Sequence, residues 1–228
     1  MARKPRVAVI TGAGISAESG LKTFRDGDGL WCNHAITDVA TPEAFERNPA
    51  LVHNFYNERR RQARAAQPNA AHLALAQLQH SYDVTVITQN IDDLHERSGS
   101  SQVIHLHGEL DKARSEGDPS HVVQLNGRDL SVEDRCPRGH RLRPDIVWFG
   151  EPVPLYEPAM EIVAEADKVL VVGTSLSVYP AAGLLADARP DAEKLIVTLE
   201  LDNPPYDYHW LQQPAARGVP AVVQQWLG

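Results

Sequence analysis

The chain alternates between short apolar runs and longer segments with helical patterns. The apolar runs have the length and β-branched composition of buried strands. They cover 6–11, 83–87, 103–106, 168–172 and 194–199. Helical patterns cover 41–67 with breaks, 69–79, 91–98, 156–166, 180–188 and 219–227. Strands that alternate with helices predict an α/β fold built on a doubly wound, largely parallel sheet.

The segment from Asp111 to Arg143 shows neither pattern. It contains two prolines, three glycines and only a short strand-like run at 122–125. Glycine and proline at this density are typical of loops. We therefore expect a loop-rich insertion, which ends where an apolar run returns at 145–151.

The first predicted strand runs straight into Gly12-Ala13-Gly14-Ile15-Ser16-Ala17. This segment satisfies the pattern G-x-G-x-x-G/A, whose glycines let backbone N–H groups approach a pyrophosphate closely. A dehydrogenase adds a second strand and an acidic ribose-binding residue about 20 positions further on. Neither is evident here. The motif predicts a nucleotide phosphate site but does not support hydride transfer.

Amide, carboxylate and imidazole groups come directly after two predicted strands. Gln89, Asn90 and Asp92 follow the strand at 83–87, and His107 follows the strand at 103–106. Open α/β sheets bind ligands at the carboxyl ends of their strands, so these side chains predict one polar pocket. The alternative is that Asn90 and Asp92 only cap the helix predicted at 91–98.

Composition narrows the class of protein. The formal net charge of -8 over 228 residues argues against a nucleic-acid partner, because phosphate contacts need a basic surface. Two cysteines provide no disulfide framework, so we expect a cytoplasmic protein. The strand beginning at Arg6 leaves no room for a signal peptide, and no apolar run approaches the ~20 residues of a membrane span.

Taken in order, the motifs resemble those of sirtuins, a family of NAD-dependent protein deacylases. The resemblance covers nearly the whole chain and is closest to compact bacterial members of the desuccinylase-like branch. The matching segments are 12–20, Thr23-Phe24-Arg25-Asp26, Thr88-Gln89-Asn90-Ile91-Asp92, His107-Gly108, Val147-Trp148-Phe149-Gly150-Glu151 and Gly173-Thr174-Ser175.

The resemblance implies a Rossmann-like NAD-binding domain formed by 1–26, 76–112 and 144–228. A helical insertion at 27–75 and the loop-rich insertion at 113–143 would form a smaller domain. In this family the acyl oxygen of an acylated lysine attacks the nicotinamide ribose, nicotinamide leaves, and O-acyl-ADP-ribose is released. NAD and acylated lysine side chains of proteins are therefore the expected cofactor and partner. We expect no nucleic-acid or membrane partner, and a monomer.

The resemblance also assigns roles to residues. His107 would act as general base on the ribose hydroxyls, a role that suits a pKa near neutrality. Asn90 and Gln89 would position the ribose and an ordered water, and Ile91 and Asp92 would hold the nicotinamide carboxamide. The other residues expected around NAD are Gly12, Ala13, Gly14, Ser16, Phe24, Arg25, Gly173, Thr174, Ser175, Thr198, Glu200, Ala215 and Ala216. Phe24 would shield the reacting ribose from water.

Tyr56 and Arg59 lie three residues apart on a predicted helix and share one face. Their spacing resembles the Tyr-x-x-Arg pair that the desuccinylating branch uses to receive an acidic acyl group. The alternative is a core tyrosine beside a surface arginine, within a solvated basic face formed by 59–61. Val147 and Phe149 would form the wall that takes the extended acyl-lysine peptide. Trp148 is interpreted as core.

Two segments depart from the family pattern. Most sirtuins hold a structural zinc with two Cys-x-x-Cys pairs, but here the insertion offers Ser115, then Cys136 and His140, with His121 as a third candidate. This set does not make a tetrahedral site, so we expect no zinc. Thr198 stands where the family usually has Asn, which removes contacts to the adenosine ribose.

Two other functions fit the same motifs. One is an NAD-dependent mono-ADP-ribosyltransferase, and the other is a non-catalytic module that binds NAD or ADP-ribose. A base beside the ribose counts against the module, because binding alone needs none. An acid-recognising pair counts against ribosyl transfer.

Overall fold

The computed structural model describes residues 3–22, 30–31, 34–201 and 203–228. The strands are β1 (Arg6–Thr11), β2 (Leu30–Trp31), β3 (His34–Ala35), β4 (Asp83–Thr88), β5 (Val103–His105), β6 (Gly108–Ser115), β7 (Val122–Gln124), β8 (Leu142–Ile146), β9 (Lys168–Val172), β10 (Glu193–Val197) and β11 (His209–Leu211). The α-helices are α1 (Gly14–Ala17), α2 (Ile36–Val39), α3 (Pro42–Arg47), α4 (Pro49–Ala65), α5 (Ala70–Leu78), α6 (Leu94–Arg97), α7 (Tyr156–Ala164) and α8 (Ala215–Leu227), and Ala181–Asp187 is a 3₁₀ helix.

Six parallel strands form the main sheet in the order β11-β10-β9-β1-β4-β5. Alternate residues of β1 face opposite layers: Val7 and Val9 pack with α5 and α8, whereas Ala8 and Ile10 pack with α7 and the 3₁₀ helix. Because both faces of the sheet are buried, successive residues along each strand are apolar, and the strand sequences are continuous apolar runs. The predicted doubly wound, Rossmann-like sheet is confirmed.

A smaller part of the molecule combines helices with a second sheet. Helices α2, α3 and α4 bury apolar residues in one cluster with Trp148, and β7-β6-β8 form a three-stranded antiparallel sheet. Asn57 joins α4 to the loop that contains Leu130. Its side-chain amide donates to Leu130 O at 2.9 Å, and its Oδ1 accepts from Leu130 N at 2.9 Å. The predicted boundaries between two domains stay a prediction.

The loop-rich expectation for 111–143 is wrong at its two ends, where β6 and β8 lie. β6 was missed because its sequence, GELDKARS, has no period-two apolar pattern. A register shift between Gly108 and Ala113 interrupts the alternation with β8. The rest of the insertion, on both sides of β7, is largely irregular.

Several helices differ from their predicted extent. The helix expected over 91–98 is the single turn α6, whose N-cap is Asp93 rather than Asn90 or Asp92. Residues 180–188 contain a 3₁₀ helix instead of an α-helix. The last helix begins at Ala215, and Pro220 lies in its interior. In the described part of the chain, no helix is long and apolar enough to cross a membrane.

Candidate functional site

The loops after β1 and β9 interlock at the carboxyl edge of the main sheet. Gly12 N donates to Val172 O at 3.0 Å, and Gly14 N donates to Gly173 O at 2.8 Å. A Cβ on Gly14 would lie 2.7 Å from Gly173 Cα, closer than real Cβ contacts allow. Only glycine fits this approach, which leaves a backbone-lined cradle at the end of the sheet.

The segment Gln89–Asp92 is tied to this cradle by its side chains. Asn90 Nδ2 donates to Gly12 O at 3.2 Å and to Ser16 Oγ at 3.3 Å. Ser16 Oγ in turn donates to Asp92 Oδ2 at 3.2 Å. Asn90, Asp92 and Ser16 are all buried. The alternative, that Asn90 and Asp92 only cap a helix, explains one contact: Asp92 Oδ1 accepts from Leu94 N at 3.1 Å.

His107 follows β5 and is fixed by one backbone contact. Its Nδ1 lies 3.0 Å from Gln89 O. Because a carbonyl only accepts, Nδ1 carries the proton and Nε2 keeps its lone pair. Burial lowers the pKa of His107, and the hydrogen bond to Gln89 opposes that shift only in part. The imidazole is therefore neutral at pH 7 and holds a free acceptor nitrogen.

His105 has the opposite character. Its Nδ1 lies 3.0 Å from Asn90 O and its Nε2 lies 2.7 Å from Glu96 Oε1. Burial opposes the charge of His105, but the hydrogen bond and the attraction from Glu96 outweigh burial and raise its pKa. Both partners accept, so the protonated ring satisfies both and holds the Asn90 carbonyl in place.

One cavity of about 690 Å³ collects these groups. Of the residues predicted from the sequence, those lining it are Gly12, Ala13, Gly14, Ser16, Tyr56, Arg59, Gln89, Asn90, Ile91, Asp92, His107, Val147, Phe149, Gly173, Thr174, Ser175, Thr198, Glu200 and Ala215. Ala216 does not line it, and its N–H donates to Glu18 Oε2 at 2.7 Å. Phe24 and Arg25 lie outside the described residues. Trp148 and Trp31 also line the cavity, and sequence reasoning had not placed them there.

Tyr56 and Arg59 line this cavity from α4. Tyr56 is fully buried, and its hydroxyl accepts from Trp148 Nε1 at 3.0 Å. The Arg59 side chain is 11% exposed. Its Nη2 donates to Glu58 Oε1 at 2.9 Å, while Nε and Nη1 are buried without a partner. Buried guanidinium donors without a hydrogen-bond partner are costly, and those of Arg59 belong to a side chain that lines the cavity.

The predicted solvated face at 59–61 is wrong for its middle residue. Arg60 is 1% exposed. Its Nε donates to Leu110 O at 2.6 Å, and its Nη1 donates to Asn57 Oδ1 at 2.7 Å. Consecutive helical residues point in different directions, so Arg60 enters the interior beside β6 while Arg61 stays exposed.

Comparison with known proteins agrees with this geometry. The Sir2 family profile matches residues 12–180. The chain belongs to the Sir2 family. It is 57% identical over 194 residues to an NAD-dependent protein deacylase of Aggregatibacter actinomycetemcomitans, covering 85% of this chain and 93% of that protein. A Bacteroides thetaiotaomicron protein of the same name is 47% identical over 229 residues, with 96% of each chain covered.

Solved Sir2 structures share the fold over almost the whole chain. The crystal structure of a Sir2 homologue–NAD complex has a TM-score of 0.86 and 36% identity, covering 97% of this chain and 89% of that one. A Sir2 mutant with a p53 peptide and NAD has a TM-score of 0.79 and 28% identity, covering 97% and 93%.

In this Sir2 protein, Ser115 and Cys136 lie together in the antiparallel sheet region. Ser115 Oγ donates to Cys136 Sγ over 3.4 Å, and both residues are buried. Within the described residues, no three histidine, cysteine or acidic side chains are grouped to hold a metal ion. A neutral serine hydroxyl is a poor zinc ligand, so this donor set does not fit a structural zinc.

Side-chain hydrogen bonds also hold the loops after β4, β9 and β10, which line the cavity. Thr174 Oγ1 accepts from Gln89 Nε2 at 3.2 Å, which joins the loops after β4 and β9. Thr198 Oγ1 donates to Glu200 O at 3.3 Å and closes the loop after β10. The Sir2 cavity is thus lined by residues that follow five neighbouring parallel strands, β10, β9, β1, β4 and β5.

Proposed function

We propose that this Sir2 protein is an NAD-dependent lysine deacylase that removes acetyl groups and also acidic acyl groups, succinyl and malonyl. The observation that carries the proposal is the neutral His107, with Nε2 free, in one cavity with Asn90, Asp92 and the glycine cradle. The names of the curated relatives and the ligands in related Sir2 structures support it.

The chain's residues fit NAD. We assign the phosphates to the loops after β1 and β9, where Ala13, Ser16, Thr174 and Ser175 line the cavity. We assign the adenosine to Thr198, Glu200, Ala215 and Ala216, the ribose to Gln89 and Asn90, and the carboxamide to Ile91 and Asp92. When bound, NAD supplies the ribose carbon that accepts the acyl oxygen as nicotinamide leaves.

His107 accepts a proton from a ribose hydroxyl at Nε2. Its bond to Gln89 fixes the tautomer, and burial keeps the ring neutral. Both amide hydrogens of Asn90 are used within the protein, by Gly12 O and Ser16 Oγ. Its Oδ1 is left to orient the ribose or an ordered water.

Acyl preference rests on Tyr56 and Arg59. Nε and Nη1 of Arg59 have no hydrogen-bond acceptor within the protein, and the distal carboxylate of a succinyl or malonyl group supplies one. A hydrogen bond to a charged group contributes about 1.5–3 kcal/mol, which corresponds to a roughly tenfold to hundredfold preference. Acetyl-lysine lacks this bond but still fits, so we expect preference without exclusivity.

Val147 and Phe149 form the wall for the acyl-lysine peptide. Val147 N donates to His107 O at 2.9 Å, and Phe149 N donates to Ala40 O at 3.0 Å, so the wall is fixed at both positions. The Phe149 side chain is exposed and lines the cavity.

Other properties of this protein remain proposals. We propose a cytoplasmic monomer that acts without a nucleic-acid or membrane partner, supported by the net charge of -8 and the low cysteine content. We also propose that NAD is its only cofactor, because Ser115 stands in the expected zinc set.

The experiment that tests the function is mass spectrometry of one lysine peptide in acetyl and succinyl forms, with and without NAD. Acyl loss that requires NAD and yields nicotinamide and O-acyl-ADP-ribose supports the proposal. Intact peptides with ADP-ribosylated protein would favour a mono-ADP-ribosyltransferase. Bound NAD with no product of either kind would favour a binding module.

A further inference from the structure

The Tyr56 hydroxyl is paired with a group that can only donate. Trp148 Nε1 lies 3.0 Å from it, and an indole nitrogen has no acceptor function. The phenol oxygen must accept this bond, so its own hydrogen is free for another acceptor. Burial raises the pKa of Tyr56, and the bond from Trp148 offsets this only in part, so the phenol keeps that hydrogen.

Trp148 is itself held from two sides. The Arg143 guanidinium lies 3.4 Å from the centroid of the indole ring. Glu151 Oε2 accepts from Trp148 N at 2.8 Å, and the Glu151 carboxylate accepts from Arg143 Nη1 and Nη2 at 2.6 and 2.8 Å. One buried ion pair therefore fixes both the backbone and the ring of Trp148, which prevents the indole from turning away.

We propose that Trp148 determines specificity for acidic acyl groups by positioning the Tyr56 hydroxyl as a donor to their distal carboxylate. This inference rests on the proposed acyl preference and adds a residue to it. Without the indole N–H, the phenol can rotate and present its oxygen to the carboxylate, which is repulsive. An acetyl group has no distal carboxylate and therefore gains nothing from the fixed orientation.

The test compares kinetics on succinyl and acetyl forms of one lysine peptide for Trp148→Phe, Tyr56→Phe and the double variant. A neutral hydrogen bond contributes about 0.5–1.5 kcal/mol, so Trp148→Phe should raise the succinyl-to-acetyl KM ratio by about 2- to 12-fold. The double variant should show no larger ratio than Tyr56→Phe, because Trp148 acts through the hydroxyl.

Trp226→Phe is the matched control. Its Nε1 donates to Glu193 Oε1 at 2.9 Å, in the layer formed with α8, and Trp226 does not line the cavity. It loses an indole hydrogen bond outside the cavity, so its KM ratio should equal that of the wild type. Circular dichroism checks that each variant folds. If Trp148→Phe does not fold, Glu151→Gln tests the same point, because it weakens the hold of Arg143 on the indole.

The outcomes separate the inference from the proposed function. An unchanged ratio in Trp148→Phe, with a raised ratio in Tyr56→Phe, overturns the role of Trp148 and leaves the acyl preference standing. Additive effects of the two substitutions on the KM ratio also overturn it, because they would mean that Trp148 acts independently of Tyr56. Unchanged ratios in both Tyr56→Phe and Arg59→Met would refute the acyl preference itself.

Discussion

His107 Nδ1 donates to Gln89 O over 3.0 Å, and this one bond decides which nitrogen of the ring is the base. The loop that carries Gln89 also carries Asn90 and Asp92, so the base and the groups assigned to the ribose and carboxamide are positioned by the same four residues, 89–92. A single backbone contact thus sets the tautomer that the proposed reaction needs.

Turnover should depend on pH through the protonation of His107. Burial lowers the pKa of His107 below its ordinary value of 6.5, and only the neutral ring accepts a proton. The kcat/KM for an acetyl-lysine peptide should therefore rise with pH through a midpoint below 6.5 and be flat between pH 7 and 8. A rise centred above pH 7 would contradict the assignment.

Removing the imidazole tests its role directly. General-base catalysis contributes about 10²- to 10⁴-fold, so His107→Ala should lower kcat by at least the smaller of these factors. The exposed His80 supplies the control, and His80→Ala should keep wild-type turnover. Thermal unfolding should show both variants folded. Normal turnover in His107→Ala would rule out this histidine as the base.

Acyl selectivity is tested at Arg59. Arg59→Met keeps an unbranched apolar stem and removes the unpaired donors, so desuccinylation should fall about tenfold to hundredfold more than deacetylation. Arg61→Met removes a guanidinium that pairs with Asp129 at the surface and should leave the ratio unchanged. Equal losses on the two acyl groups in Arg59→Met would mean that no carboxylate binds there.

We expect the protein to fold without zinc. The Ser115–Cys136 contact and the small apolar cluster around it, which includes Leu125, Leu130 and Leu142, hold the antiparallel sheet. Elemental analysis of purified protein should show well under one zinc per chain, and EDTA should leave the Tm unchanged. One tightly bound zinc whose removal unfolds the protein would refute this expectation.

The His105–Glu96 pair should contribute to stability over a limited pH range. The pKa of His105 is raised, so its contribution is complete below about 6.5 and is lost as pH rises through the raised value. The pKa of Glu96 is lowered, so its contribution is present above 4.5. Glu96→Gln should therefore lower the Tm most between pH 4.5 and 6.5. A loss of equal size at pH 9 would exclude the ion pair as its source.

The parts of the fold that sequence predicts are those with a simple period. β1, β4 and β9 are continuous apolar runs and lie where expected, and the glycine motif after β1 reaches the predicted cavity. β6 was missed because its buried positions, Leu110, Ala113 and Ser115, follow no period of two. Local pattern also gave no sign that Arg60 is buried, since Leu110, whose carbonyl accepts from its Nε, lies 50 residues away.

Pairings between distant segments explain the other gaps. Trp148 reads as a core residue and is one, but its bond to Tyr56 spans 92 positions and follows from packing rather than spacing. The buried ion pair that orients it is likewise a tertiary feature. The sequence motifs predicted which residues line the cavity, whereas the donors and acceptors of their hydrogen bonds are known only from the structure.

The small antiparallel sheet begins with Gly108 opposite Ile146, directly beside the hydrogen bond from Val147 to His107. Gly108 has φ +83°, and a Cβ there would lie 2.0 Å from Asp145 O, so the two strands meet as closely as backbones can. The proposed base and the proposed acyl wall are therefore joined through adjacent backbone. A displacement of β8 relative to β6 would therefore affect peptide binding and proton acceptance together.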